Sequence, residues 1–128
     1  MKVADSSYLI EGLLREASLL ENETFVAPDL SLYEVVNTLW KHQTMLRDLH
    51  NSSERIRLFL ELISTEIIQL VRPDRKLLDE AYSLSFRHRL PIYDTIFVAL
   101  ALELGLDLKT FDSRQFKILT KEKNLKSS

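Results

Sequence analysis

The sequence has no cysteine and only two glycines among its 128 residues. Without cysteine, disulfide bonds, thiolate metal sites and a cysteine nucleophile are excluded. Gly12 and Gly105 are too few for the glycine-rich loops that bind nucleotide phosphates. The longest apolar run, from Ile96 to Leu102, is far shorter than a membrane span, and no signal peptide is recognisable. These absences predict a cytoplasmic protein without a membrane segment.

The composition is that of a soluble globular chain. Hydrophobic residues make up 45% of the sequence and charged residues 28%. This length predicts a single domain over residues 1–128, in which the lysine-rich segment 117–128 is a partly flexible tail. The net charge of −2 provides no global attraction for nucleic acid. Binding of nucleic acid would therefore depend on local basic patches or on a bound metal ion.

Short β-rich segments alternate with segments of helical apolar periodicity. Strands are predicted at 2–5, 24–27, 67–71 and 107–111, with a possible last strand at 117–119. Helices are predicted from Ser6 or Ser7 to about Glu21, around 32–40, 56–63 and 77–85, and at 92–104. The helix at 32–40 has Asp29 or Ser31 as its candidate cap, and the helix at 92–104 lies between Pro91 and Gly105. This alternation favours a parallel sheet covered by helices on both faces.

Two acidic residues come at or just after predicted strand ends. Asp5 follows Val3 and Ala4, and Asp112 follows Thr110 and Phe111. Parallel sheets bind ligands beyond the carboxyl ends of their strands, which makes both residues candidate metal ligands. Each also has an ordinary structural interpretation, since aspartate is common at helix N-caps and in turns.

Two further acids belong to predicted helices. From Ile92 to Leu102 the only polar residues are Asp94 and Thr95, and an ionised carboxylate in such an apolar helix needs a partner. The alternative for Asp94 is a first-turn acid stabilised by the helix dipole. Glu34 lies among apolar positions and shares a helix face with Asn37. Its alternative is a solvated polar stripe.

Taken together, the four acids indicate metal chemistry. Carboxylate oxygens are hard ligands suited to Mg²⁺ or Mn²⁺, and several carboxylates packed together repel one another unless a cation is present. Such a site can activate water and stabilise an in-line displacement at phosphorus. Hydrolysis of a phosphodiester bond requires those features and no protein nucleophile.

Four segments resemble the motifs of the PIN domain family, in the family's order and spacing. They are Asp5–Ile10, Glu34–Leu39, Tyr93–Ala101 and Leu108–Phe116. The resemblance covers nearly the whole chain. It implies a three-layer α/β/α fold with a central parallel sheet and a Mg²⁺- or Mn²⁺-dependent endoribonuclease activity. It assigns catalysis and metal binding to Asp5, Glu34, Asp94 and Asp112, with supporting roles for Ser6, Asn37 and Thr110.

The short length resembles VapC-type toxins of toxin–antitoxin pairs. This resemblance implies an RNA substrate, a small antitoxin partner and a homodimer. Two alternatives stay open: a PIN nuclease that processes RNA outside a toxin pair, and an inactive PIN scaffold that binds RNA or protein. Arg114 and Lys117 follow the last acid closely and are the candidate contacts to the substrate, together with Lys121.

Other residues are predicted to have structural roles. The histidines His42, His50 and His88 lack the spacing of a zinc site and are interpreted as ordinary surface residues. The aromatic residues Tyr33, Trp40 and Phe59 fall on or near core positions of helices. They are interpreted as packing residues in preference to base-stacking ones.

Overall fold

Four parallel strands form one sheet in the computed structural model, which describes residues 1–127. The strands are β1 Lys2–Ala4, β2 Phe25–Pro28, β3 Ile68–Val71 and β4 Leu108–Lys109. Their spatial order is β3-β2-β1-β4, with every neighbouring pair parallel. Val3 pairs with Val26 on one side and with Leu108 on the other. The predicted parallel sheet is confirmed.

Helices connect the strands and cover both faces of the sheet. They are α1 Ser6–Leu14, α2 Leu30–Thr44, α3 Ser53–Ser64, α4 Arg75–His88, α5 Ile92–Leu104 and α6 Ser113–Ser127, with a short 3-10 helix at Ala17–Leu20. Over residues 1–127, none of these helices combines the length and the apolar character needed to cross a bilayer.

Two hydrophobic cores lie on opposite faces of the sheet, because successive strand residues point to opposite sides. Val3 packs with the buried residues of α4, α5 and α6. Its neighbour Ala4 packs with those of α1, α2 and α3. The sheet is thus the middle layer of a three-layer α/β/α fold, as predicted.

Helix α5 is the most deeply buried helix, and its predicted bounds are confirmed. Residues 95–101 are all buried. Pro91 precedes the first turn, and Gly105 ends the helix with φ of 65°, a left-handed conformation in which glycine is not strained. Thr95 ties α5 to α4, because its hydroxyl donates to the carbonyl of Ala81 at 2.9 Å. Asp94 is thereby held in the first turn of a rigid helix.

The first helix is shorter than predicted. It ends at Leu14 instead of continuing to about Glu21, and the 3-10 helix follows. The reason is the close approach of Leu20 to Gly12: a Cβ atom on Gly12 would lie 2.5 Å from Leu20 Cγ. The chain must therefore turn back after α1 so that Leu20 can cover this glycine and enter the core.

The prediction of a last strand at 117–119 was wrong, because α6 occupies the whole segment from Ser113 to Ser127. The segment expected to be a partly flexible tail belongs to the same helix, and Ser128 lies outside the described residues. Buried positions in α6 follow helical spacing: Gln115, Ile118, Leu119 and Glu122. Two of these four are polar, so the apolar periodicity that identifies a helix was interrupted.

Buried Glu122 joins α6 to the end of α4. Its Oε1 accepts from Arg87 Nη2 at 2.9 Å and lies 2.8 Å from His88 Nε2. His42 likewise lies 2.7 Å from Asp48. The interpretation of these two histidines as ordinary surface residues was wrong, since both side chains are largely covered and paired with a carboxylate.

Acid should weaken the fold through Glu122. Burial alone would raise the pKa of Glu122, but the hydrogen bonds from His88 and Arg87 outweigh burial and lower it below 4.5. Because the folded-state pKa is lowered, the carboxylate stabilises the fold above pH 4.5 and loses this effect as the pH falls through the lowered value. Urea unfolding at decreasing pH should show this loss. The advantage of the wild type over Glu122→Gln should shrink on acidification; a constant difference would contradict the prediction.

Candidate functional site

Four acidic side chains surround the edge at which the sheet strands end. Asp5 follows β1 directly, Asp112 precedes α6, Glu34 lies near the start of α2, and Asp94 lies in the first turn of α5. Helix α2 directly follows β2 and therefore begins at the carboxyl edge of the sheet. Helix α5 follows α4, and its acid reaches the same edge, since Arg114 contacts both Asp94 and Asp112. These are the four acids that the sequence singled out.

Asp5 is buried, and each of its carboxylate oxygens has a separate role. Oδ1 accepts from the backbone N–H of Tyr8 at 3.0 Å and so caps α1. Oδ2 accepts from the hydroxyl of Thr110 at 2.6 Å, which links β1 to the chain after β4. The two interpretations of Asp5, as a cap and as a member of an acidic cluster, are therefore compatible.

Ser7 was missed by the sequence reasoning, although it belongs to the hydrogen-bond network of the site. Its hydroxyl donates to Asp5 Oδ1 at 2.7 Å and accepts from the N–H of Phe111 at 3.3 Å. Thr110 also accepts from the N–H of Asp112 at 2.9 Å. The available signal was the pair of serines after Asp5, but only the first of them was singled out.

Glu34 is held by Ser6, whose hydroxyl donates to Glu34 Oε1 at 2.7 Å. Burial raises the pKa of Glu34 above its ordinary value, and the charges of Asp5 and Asp94 raise it further, against the hydrogen bond from Ser6. Asn37, one turn further along α2, is exposed. Ser6 therefore contacts the acidic cluster, whereas Asn37 is exposed to solvent.

Arg114 lies between the two remaining acids. Its Nε and Nη2 atoms contact the two carboxylate oxygens of Asp112 at 3.1 and 2.8 Å, and Nη2 lies 3.7 Å from Asp94 Oδ2. Hydrogen bonding to Arg114 holds the pKa of Asp112 below its ordinary value. Sequence spacing placed Arg114 near Asp112, whereas its contact with Asp94 required the fold.

Like charges interact across the whole cluster. Burial is the main cause that raises the pKa of Asp5, opposed by the hydrogen bonds from Thr110, Ser7 and Tyr8, and the charge of Asp112 adds to the rise. The charges of Asp5 and Asp94 in turn raise the pKa of Glu34. Within residues 1–127, no three acidic or histidine side chains are close enough in this conformation to share one ion. The donor set nevertheless consists of carboxylate oxygens, the ligands that Mg²⁺ and Mn²⁺ prefer.

Exposed aromatic rings stand next to three of the four acids. Tyr33 precedes Glu34 and is 73% exposed, Tyr93 precedes Asp94, and Phe111 precedes Asp112 and is 60% exposed. The Phe111 ring is stacked on Tyr8 with centroids 5.7 Å apart. The sequence shows that these aromatic residues adjoin the acids, but only the structure shows that their rings are exposed.

The predicted packing role was correct for one of the three aromatic residues it covered. Phe59 is fully buried, but Tyr33 and Trp40 are exposed, Trp40 by 51%. Both lie on the solvent side of α2, whose core positions are taken by Ser31, Val35 and Leu39. Neither candidate cap of this helix, Asp29 or Ser31, makes a side-chain cap hydrogen bond, and the Ser31 hydroxyl is buried in the core instead.

A PIN domain model matches residues 3–121 of the chain. Ribonuclease VapC3 of Pyrobaculum aerophilum is 36% identical over 84 residues, which cover 66% of this chain and 63% of that protein. The match therefore spans somewhat less than two thirds of the relative's length.

The crystal structure of PAE2754 from Pyrobaculum aerophilum has a similar fold. Its TM-score is 0.72 at 21% identity, and the alignment covers 91% of this chain and 83% of that one. At this identity the similarity concerns the fold. It agrees with the three-layer arrangement described above.

Proposed function

The chain belongs to the PIN domain family, and on this basis we propose that it is a metal-dependent endoribonuclease that hydrolyses phosphodiester bonds in RNA. One observation carries the proposal: Asp5, Glu34, Asp94 and Asp112 lie at one edge of the sheet. Thr110 connects Asp5 to the backbone of Asp112, Arg114 contacts both Asp112 and Asp94, and Ser6, next to Asp5, holds Glu34. Carboxylates held together in this way favour a divalent cation.

The four carboxylates are the groups that would hold Mg²⁺ or Mn²⁺, and they would have to move closer together than in this conformation to share one ion. When bound, the ion would supply an activated water and stabilise the charge that develops on phosphate oxygens. The remaining residues would position the ligands. Ser7 and Thr110 orient the two oxygens of Asp5, and Ser6 orients Glu34. Asn37 is the weakest member of the proposed set, since it is exposed on the next turn of α2.

Arg114 and Lys117 would bind the substrate. The Arg114 guanidinium lies between Asp94 and Asp112 and has donors beyond those that contact Asp112. It can therefore contact a phosphate oxygen while it stays next to the acids. Lys117 follows one turn later on α6 and would contact a neighbouring phosphate as a point charge.

The decisive test is RNA cleavage by the purified protein with Mn²⁺ or Mg²⁺ and with EDTA. We expect cleavage with the metal ions and none with EDTA. Calorimetric titration of Mn²⁺ provides a readout that does not depend on the RNA used. An absence of both cleavage and Mn²⁺ binding would reject the proposed function. Binding of Mn²⁺ without cleavage of a mixed RNA pool would support the metal site and indicate either a nuclease selective for an RNA that the pool lacks or an inactive scaffold.

Phe111→Ala should weaken substrate binding more than the chemical step. Phe111 presents an exposed ring next to the acids, and its backbone is bonded to Ser7, so it can stack on an unpaired base without further ordering. Stacking contributes about 1–3 kcal/mol per base, and we therefore expect KM to rise roughly tenfold with little change in kcat. Phe116→Ala removes another exposed ring, on α6, and is the matched control. Equal effects of both variants would contradict the proposal.

We further propose that the protein is the toxin of a VapBC-type pair, with a small antitoxin as partner. The support is the similarity to a protein named Ribonuclease VapC3. Expression in cells should stop growth, and co-expression of a small neighbouring gene should restore it. Normal growth during expression of active enzyme would favour the alternative of a nuclease that processes RNA outside a toxin pair. An inactive scaffold that binds RNA or protein is the alternative if no catalytic activity is found.

A homodimer is proposed on the basis of an exposed apolar stripe on α4. Leu78, Tyr82 and Phe86 repeat every four residues and so share one helix face, with Tyr82 66% and Phe86 78% exposed. A contiguous exposed apolar surface of this kind is typical of an interaction site. Light scattering should show a dimer that Tyr82→Glu converts to a monomer; a wild-type monomer would reject the proposal.

A further inference from the structure

A groove with a basic rim lies between the end of α4 and helix α6. It has a volume of about 260 Å³ and is lined by His88, Leu90, Arg114, Lys117, Ile118 and Lys121. The lining contains three permanently charged cations and one histidine, and no acidic residue. Within residues 1–127, Arg114 is paired with Asp112 and His88 with Glu122, whereas Lys117 and Lys121 have no carboxylate partner. These two lysines therefore supply the excess positive charge of the groove in a chain whose net charge is −2.

The groove begins at the acidic cluster. Arg114 belongs to both, since it lines the groove and also contacts Asp112 at 2.8 Å. Lys117 and Lys121 lie three and seven residues further along α6, which places all three cations along one face of the helix. This row extends for about 10 Å along the helix axis, at 1.5 Å per residue. The cations can therefore contact successive phosphates in place of a single one.

The floor of the groove is apolar. Leu90 and Ile118 line the groove together with the basic side chains, and both pack on the core formed by α4, α5 and α6. A cationic row along an apolar surface fits a single nucleic-acid strand, whose phosphates face the cations while a base or ribose face contacts the aliphatic side chains. A duplex keeps its bases paired and stacked, so it would present mainly phosphates and sugars to this groove.

We propose that this groove binds the ribose–phosphate backbone of the single RNA strand that leads away from the acidic cluster. The inference rests on the proposed function and adds the path of the substrate. Arg114 binds the phosphate nearest to the acids, and Lys117 and Lys121 bind the next ones. The basic field also offsets the repulsion between the acidic cluster and the RNA backbone.

The test measures binding of a fluorescein-labelled single-stranded RNA of about 12 nucleotides by anisotropy, in EDTA, at several salt concentrations. EDTA prevents metal-dependent cleavage during the measurement. The variant is Lys117→Gln/Lys121→Gln. Its matched control is Lys76→Gln/Lys126→Gln, which removes the same charge from a separate groove between α4, α5 and α6. Thermal unfolding of both variants shows whether the fold is retained.

In the groove variant we expect roughly tenfold weaker binding and a slope of log K against log salt that is shallower by about 1.4, since each phosphate contact on a single strand contributes about 0.7. The control should bind like the wild type. Wild-type binding by the groove variant, together with active wild-type cleavage, would overturn the inference and leave the proposed function intact.

Two other outcomes would also be informative. A groove variant that binds RNA normally but loses binding to a polyglutamate peptide would overturn the inference in favour of an acidic protein segment. A wild-type protein that neither binds RNA nor cleaves it with metal would reject the inference and the proposed function together.

Discussion

Asp94→Asn is expected to reduce metal-dependent RNA cleavage by about 1,000-fold, equivalent to roughly 4 kcal/mol of transition-state stabilisation. The substitution keeps the shape of the side chain and removes a negative charge from the cluster. That charge contributes to the raised pKa of Glu34, and Arg114 Nη2 lies 3.7 Å from Asp94 Oδ2. The affinity for Mn²⁺ should fall as well, which calorimetry can measure independently of cleavage.

The fold should tolerate Asp94→Asn. The Asp94 side chain is partly exposed and its one ion-pair contact within residues 1–127 is the long one to Arg114. Asp79→Asn, on the exposed side of α4, makes the same chemical change away from the cluster and serves as the control. Both variants should unfold at nearly the wild-type temperature. If Asp94→Asn retains cleavage and Mn²⁺ affinity within a few-fold of the wild type, Asp94 is not a metal ligand.

Phe97→Ala should produce the largest loss of stability. Phe97 is 2% exposed and belongs to the core between the sheet and helices α4, α5 and α6. Truncation of a buried phenylalanine costs about 3–5 kcal/mol through lost burial and a residual cavity. This is a large fraction of the roughly 5–15 kcal/mol by which domains are stable. Urea and thermal unfolding followed by circular dichroism should show it, with a midpoint lower by about 10 °C or more.

Leu104→Ala is the matched control for Phe97→Ala. Leu104 is the last residue of the same helix and is half-exposed, so its truncation should cost no more than about 1 kcal/mol. Phe97→Ala should regain cleavage at low temperature, where more of the protein is folded, whereas Asp94→Asn should stay inactive there. Equal stability losses for Phe97→Ala and Leu104→Ala would show that α5 is not the central packing element.

The sequence by itself predicted the parallel sheet, the bounds of α5 and the four acids. These features depend on local patterns. Alternating apolar segments predict strands and helices, Pro91 and Gly105 mark the ends of α5, and Asp5 and Asp112 come where strands end. Local patterns put Asp5 and Asp112 after strands and Glu34 and Asp94 near the starts of helices. These positions were enough to predict that the acids could converge at one edge of the sheet.

Helix α6 shows where local patterns failed. Gln115 and Glu122 occupy buried positions of this helix, so its apolar periodicity is interrupted. Glu122 is tolerated there because Arg87 and His88 approach it from α4. No local pattern contains that information, since a buried carboxylate is stable only when its partners are close, and those partners are separated from it by more than thirty residues.

The tertiary structure alone decided how the site is assembled. It placed Arg114 beside Asp94, joined Ser7 to Phe111 and turned Tyr33 outward. The order β3-β2-β1-β4 puts β1 between β2 and β4, so the residues that follow these strands meet although they are far apart in sequence. Contacts of this kind depend on which strands are neighbours. That order is set by the packing of the helices on both faces of the sheet.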